Sequence, residues 1–255
     1  MNRPVVLVTG SARRIGRDIA LHLGAHGWDV AVHHRRSADE AQAVVAELRA
    51  GGAGAQAFAA DLTDEAACRA LLPQVAAHFG RVDAIVNNAS VFEYDDPLTC
   101  TPAAMERHWR TNTAPAVLLA QALHAHLQAA DRTGCVVNLG DQKTANPNPD
   151  YFSYTLSKAA LDAATVLLAQ GLAPRVRVCG VAPGVTLLSG PMTDDELQIA
   201  RRMTPLLRSS TPADIAHAVR FVLESPAVTG TTLLVDGGQH LARQPRDVLF
   251  LARQA

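Results

Sequence analysis

Short runs of apolar, often β-branched residues alternate along this chain with longer segments rich in alanine and leucine. This alternation is typical of repeated βαβ units, whose strands form one parallel sheet. Most of the short runs are apolar throughout, as expected of strands that helices cover on both faces. The pattern therefore predicts an α/β fold with a doubly wound parallel sheet of about seven strands. The predicted strands are residues 4–9, 28–33, 55–60, 83–87, 135–139, 176–181 and 232–235, and the predicted helices are residues 14–26, 38–50, 64–79, 102–129, 151–171 and 212–224.

The bulk composition restricts the setting in which such a fold would work. A chain of 255 residues is long enough for one large α/β domain, so residues 1–255 are predicted to form a single domain. A formal net charge of −1 gives no electrostatic footprint for nucleic acid or an anionic membrane. No apolar run approaches the roughly 18 residues of a membrane span, and no signal peptide precedes the first strand. We therefore expect a cytoplasmic protein without nucleic-acid or membrane partners.

Neither the cysteines nor the histidines are spaced as metal ligands. Cys68, Cys100, Cys135 and Cys179 are far apart and form no C-x-x-C pair, so four buried, reduced thiols are expected. The 10 histidines contain no H-E-x-x-H motif, and no metal site is predicted. A G-x-S-x-G motif is also absent, which argues against a serine hydrolase.

Two segments do not fit the alternation of strands and helices. Residues 184–210, which we call the lid, are too long for a plain connection and are predicted to be a loop with a short helix beside the substrate. Residues 241–255, which we call the tail, carry an apolar run at 248–251. We expect the tail to pack on its own subunit or on a neighbouring one, the alternative being a disordered end.

The segment 9–16 reads TGSARRIG and directly follows the first predicted strand. A sharp turn is possible at Gly10, and Gly16 allows close packing. The N-terminus of the next helix would present free N–H groups and a positive dipole to a pyrophosphate. Arg14 stands where such turns usually carry a third, central glycine. The candidate cofactor contacts in this turn are Gly10, Arg14, Ile15 and Gly16.

The end of the second predicted strand indicates which dinucleotide the chain would bind. The ribose 2′-hydroxyl of NADH would call for an Asp or Glu there, whereas residues 33–37 read HHRRS. Arg36, with Arg35 beside it, offers a positive fork and Ser37 a hydroxyl, which suit the 2′-phosphate of NADPH. NADPH is therefore the predicted cofactor, the alternative being a solvated charge pair at a strand end.

Further polar residues follow other strands at the edge of the sheet where open α/β folds bind ligands. After the third strand, Asp61 could accept a hydrogen bond from an adenine amino group. The fourth strand is followed by NNAS and the sixth by APGVT. The candidate cofactor contacts at these ends are Asp61, Leu62, Asn88, Ala89, Pro183 and Thr186.

Tyr154 and Lys158 are four residues apart, so they share one face of a predicted helix. The ammonium, together with a cationic nicotinamide in the oxidised state, would stabilise the phenolate and lower the pKa of Tyr154 from about 10. The fifth strand ends in NLGD, and Asp141 precedes Tyr154 by 13 residues. This register predicts a proton-transfer site made of Asp141, Tyr154 and Lys158.

Taken in order, these motifs resemble the short-chain dehydrogenase/reductase family across residues 4–240. The resemblance implies one Rossmann-like domain, hydride transfer from a nicotinamide, and a homotetramer or a dimer. It also implies that Tyr154 donates the proton, that Lys158 binds the nicotinamide ribose and that Asn112 steadies a water relay. The motifs that carry it are TGSARRIG, Asp61-Leu62, NNAS at 87–90, Asn112, Tyr154-x-x-x-Lys158, APG at 182–184 and VDGG at 235–238.

Two residues depart from the pattern of most of this family: Asp141 stands where serine is usual, and Arg14 where glycine is usual. A serine hydroxyl suits a substrate carbonyl, whereas a carboxylate would repel the negative charge that develops on the carbonyl oxygen. Asp141 fits better beside a basic ring nitrogen, where it can hold Tyr154 or help relay a proton to a C=N bond.

Both departures occur together in the pteridine reductase branch of the family, which includes bacterial dihydromonapterin and dihydrofolate reductases. The chain is similar to that branch at HHRRSADEA, NNASVF and VTGTTLLVDGGQHL as well. The resemblance implies that Phe92 stacks a pterin against the nicotinamide, that Ser90 hydrogen-bonds near it, and that Arg14 reaches over the pyrophosphate toward it. The implied substrate-binding residues are Arg14, Ser90, Phe92, Asp141 and Tyr154.

Several alternatives stay open at this level. Phe92 could pack within its loop, Asp141 could be a cap or turn residue, and Asn112 could be exposed on a long helix. The leading hypothesis is NADPH-dependent reduction of a pterin or folate from the dihydro to the tetrahydro form. One rival is a reductase of a carbonyl substrate such as a 3-oxoacyl thioester. Another is a catalytically silent NADPH-binding sensor or scaffold, which would have no need of Tyr154 and Lys158.

Overall fold

The computed structural model describes residues 3–189 and 192–254. Within these ranges seven strands form one parallel sheet in the order β3-β2-β1-β4-β5-β6-β7, which confirms the predicted fold class. The chain moves outward in one direction from β1 and then crosses back to β4, so the strand order reverses between these two strands. The strands are β1 (Val5–Val8), β2 (Asp29–His34), β3 (Ala55–Ala59), β4 (Ala84–Asn87), β5 (Gly134–Leu139), β6 (Val176–Pro183) and β7 (Thr232–Val235).

Several of the helices begin at a residue whose side chain caps the first turn. At one of them, the Thr211 hydroxyl accepts from the Asp214 N–H, and the Asp214 carboxylate accepts from the Thr211 N–H. The α-helices are α1 (Arg14–Ala25), α2 (Ala38–Ala50), α3 (Glu65–Phe79), α4 (Pro102–His108), α5 (Ala114–Ala129), α6 (Phe152–Gly171), α7 (Asp194–Arg202), α8 (Pro212–Glu224) and α9 (Val248–Ala252).

The prediction of one regular helix over residues 102–129 is wrong. A π-helical turn, Trp109–Thr113, separates α4 from α5. Pro115 has no N–H and therefore cannot make the ordinary bond to the carbonyl four residues earlier. The Ala114 N–H bonds instead to the carbonyl of Trp109, one residue further back than in an α-helix. The wider turn directs Asn112 into the protein, where it is 4 % exposed.

Two apolar cores hold the helices against the two faces of the sheet. Val6 of β1 belongs to the core under α1, α2 and α8, together with Ile19 and Ile215. The next residue, Leu7, belongs to the opposite core with Leu119 of α5. Each such fully buried aliphatic side chain stabilises the fold by about 1.5–3 kcal/mol. The cores fix the carboxyl ends of the strands relative to the helix N-termini that face them.

A third, smaller apolar cluster joins the lid to the tail. The predicted short helix of the lid is α7, and the tail ends in α9. Leu197 and Ala200 of α7 pack against Val248 and Leu249 of α9. Of the alternatives considered for the tail, packing on its own subunit is therefore observed. Part of the lid, residues 190–191, lies outside the described residues.

The thiol prediction is correct for three cysteines and wrong for the fourth. Cys68, Cys135 and Cys179 are buried, whereas Cys100 is half-buried because it lies at the surface, just before Thr101 caps α4. All four thiols are free. No helix in the described ranges is long and apolar enough to cross a membrane. Nor do the described side chains include a group of three or more His, Cys, Asp or Glu residues that could hold a metal ion.

Candidate active site

A cleft of about 600 Å³ opens at the carboxyl ends of the strands, where the strand order reverses between β1 and β4. Every residue predicted for the cofactor or substrate site lines it, and among the predicted catalytic residues only Asn112 does not. The lining includes Gly10, Arg14, Ile15, Gly16, Arg36, Ser37, Asp61, Leu62, Asn88, Ala89, Ser90, Phe92, Asp141, Tyr154, Lys158, Pro183 and Thr186.

The turn after β1 is shaped to admit a pyrophosphate. Gly10 has a φ of +62°, which favours glycine, and a Cβ there would lie 3.0 Å from the Cα of Ala89. The Gly10 N–H donates to Nδ1 of His33 at 3.0 Å, and the Asn88 amide donates to the carbonyls of Thr9 and Gly10. These bonds fix the turn beside the N-terminus of α1, where free N–H groups favour an anion. The residues present therefore fit a dinucleotide cofactor.

The conformation and contacts of Arg14 account in part for an arginine at a position where glycine is usual. Its φ is +56°, so the backbone keeps the left-handed conformation that a glycine would adopt without strain. The side chain is exposed at the cleft, and its Nη2 donates to the carbonyl of Leu188 in the lid at 2.6 Å. Arg14 thus connects the turn after β1 to the lid at the edge of the cleft.

The end of the cleft next to β2 contains the residues predicted to bind the 2′-phosphate of NADPH. Arg35 and Arg36 are exposed there, and Ser37 is half-buried. Asp61 accepts two hydrogen bonds from Thr63, which lower the pKa of the carboxyl, and both guanidiniums lower it further. Two cations and a fixed carboxylate therefore lie together at the end of the cleft next to β2 and β3.

At the other end, Tyr154 and Asp141 are joined directly. The phenol donates to Oδ2 of Asp141 at 2.6 Å, and the Lys143 N–H donates to Oδ1 at 2.8 Å. Asp141 therefore holds Tyr154 and also caps a short turn, so two roles that the sequence left as alternatives are both present. Lys158 lies beside the phenol with Nζ 5.6 Å from the ring centre, and it donates to the carbonyl of Leu139 at 2.7 Å.

Burial governs the ionisation of these three groups. It raises the pKa of Tyr154 well above its usual value, and the neighbouring Asp141 carboxylate raises that pKa further. Burial also raises the pKa of Asp141 and lowers the pKa of Lys158 to about 8. In the protein without a cofactor, desolvation and the adjacent carboxylate both disfavour the phenolate, and the lowered Tyr154 pKa expected beside an oxidised nicotinamide stays a prediction. The phenol is thus protonated at neutral pH, as a proton donor must be.

Asn112 is buried rather than exposed, and its side-chain amide is fully used by protein groups. Its Oδ1 accepts from the N–H of Val91 at 2.8 Å and from the Ser90 hydroxyl at 3.1 Å. The amide nitrogen donates to the Val91 carbonyl and to the Ser157 hydroxyl. Four bonds therefore satisfy the side-chain amide. Asn112 thus ties the 90–91 loop to α6, and its part in a water relay stays a prediction.

Phe92 stacks, but on a neighbouring side chain. Its ring lies 4.0 Å from that of Tyr151 at an interplanar angle of 16°, and Tyr154 meets it edge-on at 4.7 Å. Tyr151 is buried and has a φ of +55°, an uncommon conformation for a bulky residue. Phe92 remains 37 % exposed at the cleft. One face of the ring is thus supported and the rest of it remains accessible.

Sequence reasoning missed one wall of the cleft. Lys143 follows Asp141 in the same turn, and its side chain is 3 % exposed. The residues that the tail contributes come from more than 90 positions later in the chain. The apolar run at 248–251 indicated packing but did not indicate where. The unpredicted lining residues of this wall are Lys143, Tyr151, Asp247, Val248 and Leu249.

Comparison with known proteins places the chain among nicotinamide-dependent reductases. Residues 10–240 match the family model described as Enoyl-(Acyl carrier protein) reductase. The chain is 33% identical to the 3-oxoacyl-(acyl-carrier-protein) reductase FabG of Staphylococcus aureus, over 92% of this chain and 97% of that protein. It is also 33% identical to pteridine reductase 1 of Leishmania tarentolae, over 94% of this chain and 97% of that protein.

A solved structure resembles the whole fold. FolM alternative dihydrofolate reductase 1 from Brucella suis, crystallised in complex with NADP, superposes with a TM-score of 0.90. The two sequences are 40% identical, and the match covers 96% of this chain and 98% of the other.

Proposed function

The chain belongs to the short-chain dehydrogenase/reductase family, and we propose that it is an NADPH-dependent reductase of dihydropterins or dihydrofolate. The observation that carries the proposal is the hydrogen bond from the Tyr154 phenol to the Asp141 carboxylate at 2.6 Å. A carboxylate beside the proton donor disfavours a substrate whose oxygen becomes an anion, and it suits one whose nitrogen accepts a proton. The named relatives include a pteridine reductase and a dihydrofolate reductase.

The residues of the cleft have separate tasks in this reaction. NADPH, when bound, supplies the hydride to a ring carbon of the substrate. The Gly10 turn and the N-terminus of α1 would hold its pyrophosphate, and Arg36 with Ser37 its 2′-phosphate. Lys158 would hold the nicotinamide ribose, and Thr186 the nicotinamide end of the cleft.

Proton transfer falls to Tyr154. As hydride reaches the carbon of a C=N bond, the nitrogen gains electron density and takes the phenol proton. The phenolate then regains a proton from solvent water, which the Asp141 carboxylate takes up and passes to its hydrogen-bond partner, and Lys158 stabilises the transient negative charge. Phe92, supported from behind by Tyr151, would cover the flat face of the pterin. Ser90 and Arg14 would contact its edge.

Two rival functions remain distinguishable. The identity to FabG favours a reductase of 3-oxoacyl thioesters, a reaction for which the Asp141 carboxylate is poorly suited. A silent NADPH-binding module would have no need of the Tyr154–Asp141 contact. The decisive experiment is NADPH oxidation by the purified protein with dihydrobiopterin, dihydromonapterin, dihydrofolate and acetoacetyl thioesters. We expect turnover with at least one dihydropterin or dihydrofolate, whereas turnover with the thioester alone would favour the first rival and none at all the second.

We also propose an oligomeric state and a cellular location for the protein. A single domain spanning residues 1–255 is expected to assemble as a homo-oligomer, a tetramer being favoured over a dimer. Apolar side chains exposed on α6 support association, since Leu156, Val166 and Leu167 are 46 %, 42 % and 66 % exposed. The free thiols suit a reducing cytoplasm. Light scattering after size exclusion measures the assembly, and a monomer at micromolar concentration would contradict it.

A further inference from the structure

The tail forms one wall of the cleft and is anchored there by buried charges. Asp150, just before α6, accepts from Nε and Nη2 of Arg246, each at 2.8 Å, and from the Asp247 N–H at 2.7 Å. The next contact is an ion pair in which Lys143 Nζ donates to Asp247 Oδ2 at 2.9 Å. The Lys143 side chain is 3 % exposed and that of Asp247 17 %. These two ion pairs hold the first part of the tail against the cleft.

Asp247 has acceptor capacity that the protein does not use. Its Oδ2 accepts from Lys143 and its Oδ1 from the Leu249 N–H at 3.1 Å, which leaves a lone pair on each oxygen. The residue lines the cleft, and its carboxylate raises the pKa of both Tyr151 and Tyr154, where burial is the main cause. The carboxylate therefore faces the same cleft as the proton donor Tyr154 and is close enough to affect its pKa.

The position of the tail decides which part of a substrate meets Asp247. A ring that is to be protonated by Tyr154 must enter to the buried end of the cleft, against Phe92. The tail and the lid share an apolar cluster that includes Leu197, Val248 and Leu249, and the last two of these also line the cleft beside Asp247. A substituent on the ring would extend from the buried end toward this wall.

The cations of this wall are already engaged. Arg246 is bound in a bidentate manner by Asp150, and Lys143 by Asp247 and Asn148. An anionic substituent would meet the Asp247 carboxylate here, while Lys143 and Arg246 are already paired with carboxylates. A short substituent with hydroxyl donors would instead find charged acceptors, which form strong hydrogen bonds.

Resting on the function proposed above, we propose that Asp247 is a specificity-determining residue that accepts hydrogen bonds from a hydroxylated side chain of the dihydropterin. The Lys143–Asp247 pair thereby favours a compact, neutral, polyol-bearing pterin over a side chain that ends in carboxylates. The tail, rather than the sheet, selects the substrate within its class.

The experiment compares three substrates with NADPH at saturation: dihydromonapterin, 6-methyl-dihydropterin, which lacks the hydroxyls, and dihydrofolate. The wild-type kcat/KM should be highest for dihydromonapterin. In Asp247→Asn the preference for dihydromonapterin over 6-methyl-dihydropterin should fall about tenfold or more, the usual value of a hydrogen bond to a charged group. Asp195→Asn is the matched control, because it removes an equal charge from the exposed side of α7.

A second variant separates recognition from tail structure. Asp247→Ser keeps a hydroxyl that can accept from the Leu249 N–H, and it should lose the same preference while the tail stays resistant to proteolysis. An equal loss with all three substrates would make Asp247 a structural latch and overturn the inference, as would an unchanged preference. Equal wild-type turnover of the three substrates overturns the inference alone. Wild-type inactivity toward all three overturns the proposed function, and the inference with it.

Discussion

Tyr154 is the residue on which the chemistry rests. Its phenol is buried, protonated and bonded to Asp141, so removing the hydroxyl removes the proton donor while the ring stays packed against Phe92. We expect Tyr154→Phe to lower kcat for dihydropterin reduction by about 100-fold or more. NADPH binding, followed by fluorescence, should be retained. Near-full NADPH oxidation by this variant would show that another group donates the proton.

Arg14 can be tested for strain and for recognition at once. A non-glycine residue at a φ of +56° costs about 1–2 kcal/mol, a cost that glycine does not incur. Arg14→Gly should therefore be about 1 kcal/mol more stable to urea than Arg14→Ala. Both variants should raise the KM for the pterin more than the KM for NADPH, since the side chain reaches the lid. Equal increases in the two KM values would make Arg14 a cofactor residue only.

Arg36 is expected to distinguish NADPH from NADH. In Arg36→Asp a carboxylate would face the 2′-phosphate, and the like charges repel. The ratio of kcat/KM for NADPH to that for NADH should fall by about tenfold or more. Arg69→Asp reverses an exposed charge on α3 outside the cleft and serves as the control. An unchanged ratio in Arg36→Asp would contradict the phosphate assignment.

The tail is the element whose attachment matters most for the cleft. Burial raises the pKa of Asp150, but the hydrogen bonds from Arg246 and Asp247 outweigh burial and lower it. Asp150→Asn weakens this anchor and should cost about 1–3 kcal/mol of local stability. We expect faster amide exchange over residues 244–253 and a raised KM for the pterin. If exchange in the tail stays at the wild-type rate, the Arg246–Asp150 pair does not hold it.

Sequence patterns predict those features of helices and strands that neighbouring residues determine, such as where a helix starts. The start of α8 is encoded locally, because Thr211, Pro212 and Asp214 are a typical helix-start sequence and form the capping bonds. The π-helical turn was missed although Pro115 signals it, because a proline in the first turn of a helix is also ordinary. The tail was placed only in outline, since its partners Lys143 and Asp150 are some 100 residues away and no local period encodes such contacts.

The whole sheet was predictable because seven apolar runs separated by helical segments permit few arrangements. The cleft followed from the fold, since the residues after several strands meet at one edge. Ionisation was less predictable. The sequence predicts a lowered pKa for Tyr154 beside an oxidised nicotinamide, but it does not reveal that burial and the adjacent Asp141 carboxylate raise this pKa in the protein without a cofactor. How deeply a side chain is buried depends on the packing of the whole chain, so a short motif does not reveal it.

Burial of His33 makes the stability of the whole molecule depend on pH. His33 is 2 % exposed, and burial lowers its pKa from 6.5 to about 4. The neutral ring accepts from the Gly10 N–H at Nδ1, and Nε2 donates to the Ala60 carbonyl. A protonated ring would place an N–H against the Gly10 N–H. The folded protein thus resists protonation of His33, whereas the unfolded chain takes up the proton readily.

The sign of the effect follows from these two pKa values. The contribution of neutral His33 is complete above pH 6.5, and it is lost as the pH falls from 6.5 to about 4. Between pH 7 and pH 5 the loss should be about 2 kcal/mol in the free energy of unfolding. Urea titrations of the wild type and of His33→Asn at both pH values measure it. The variant should be less stable at pH 7 but should lose less on acidification, because other groups, including His22, titrate equally in both proteins. Parallel losses would mean that His33 is protonated in the folded state, with the Gly10 turn held by other contacts.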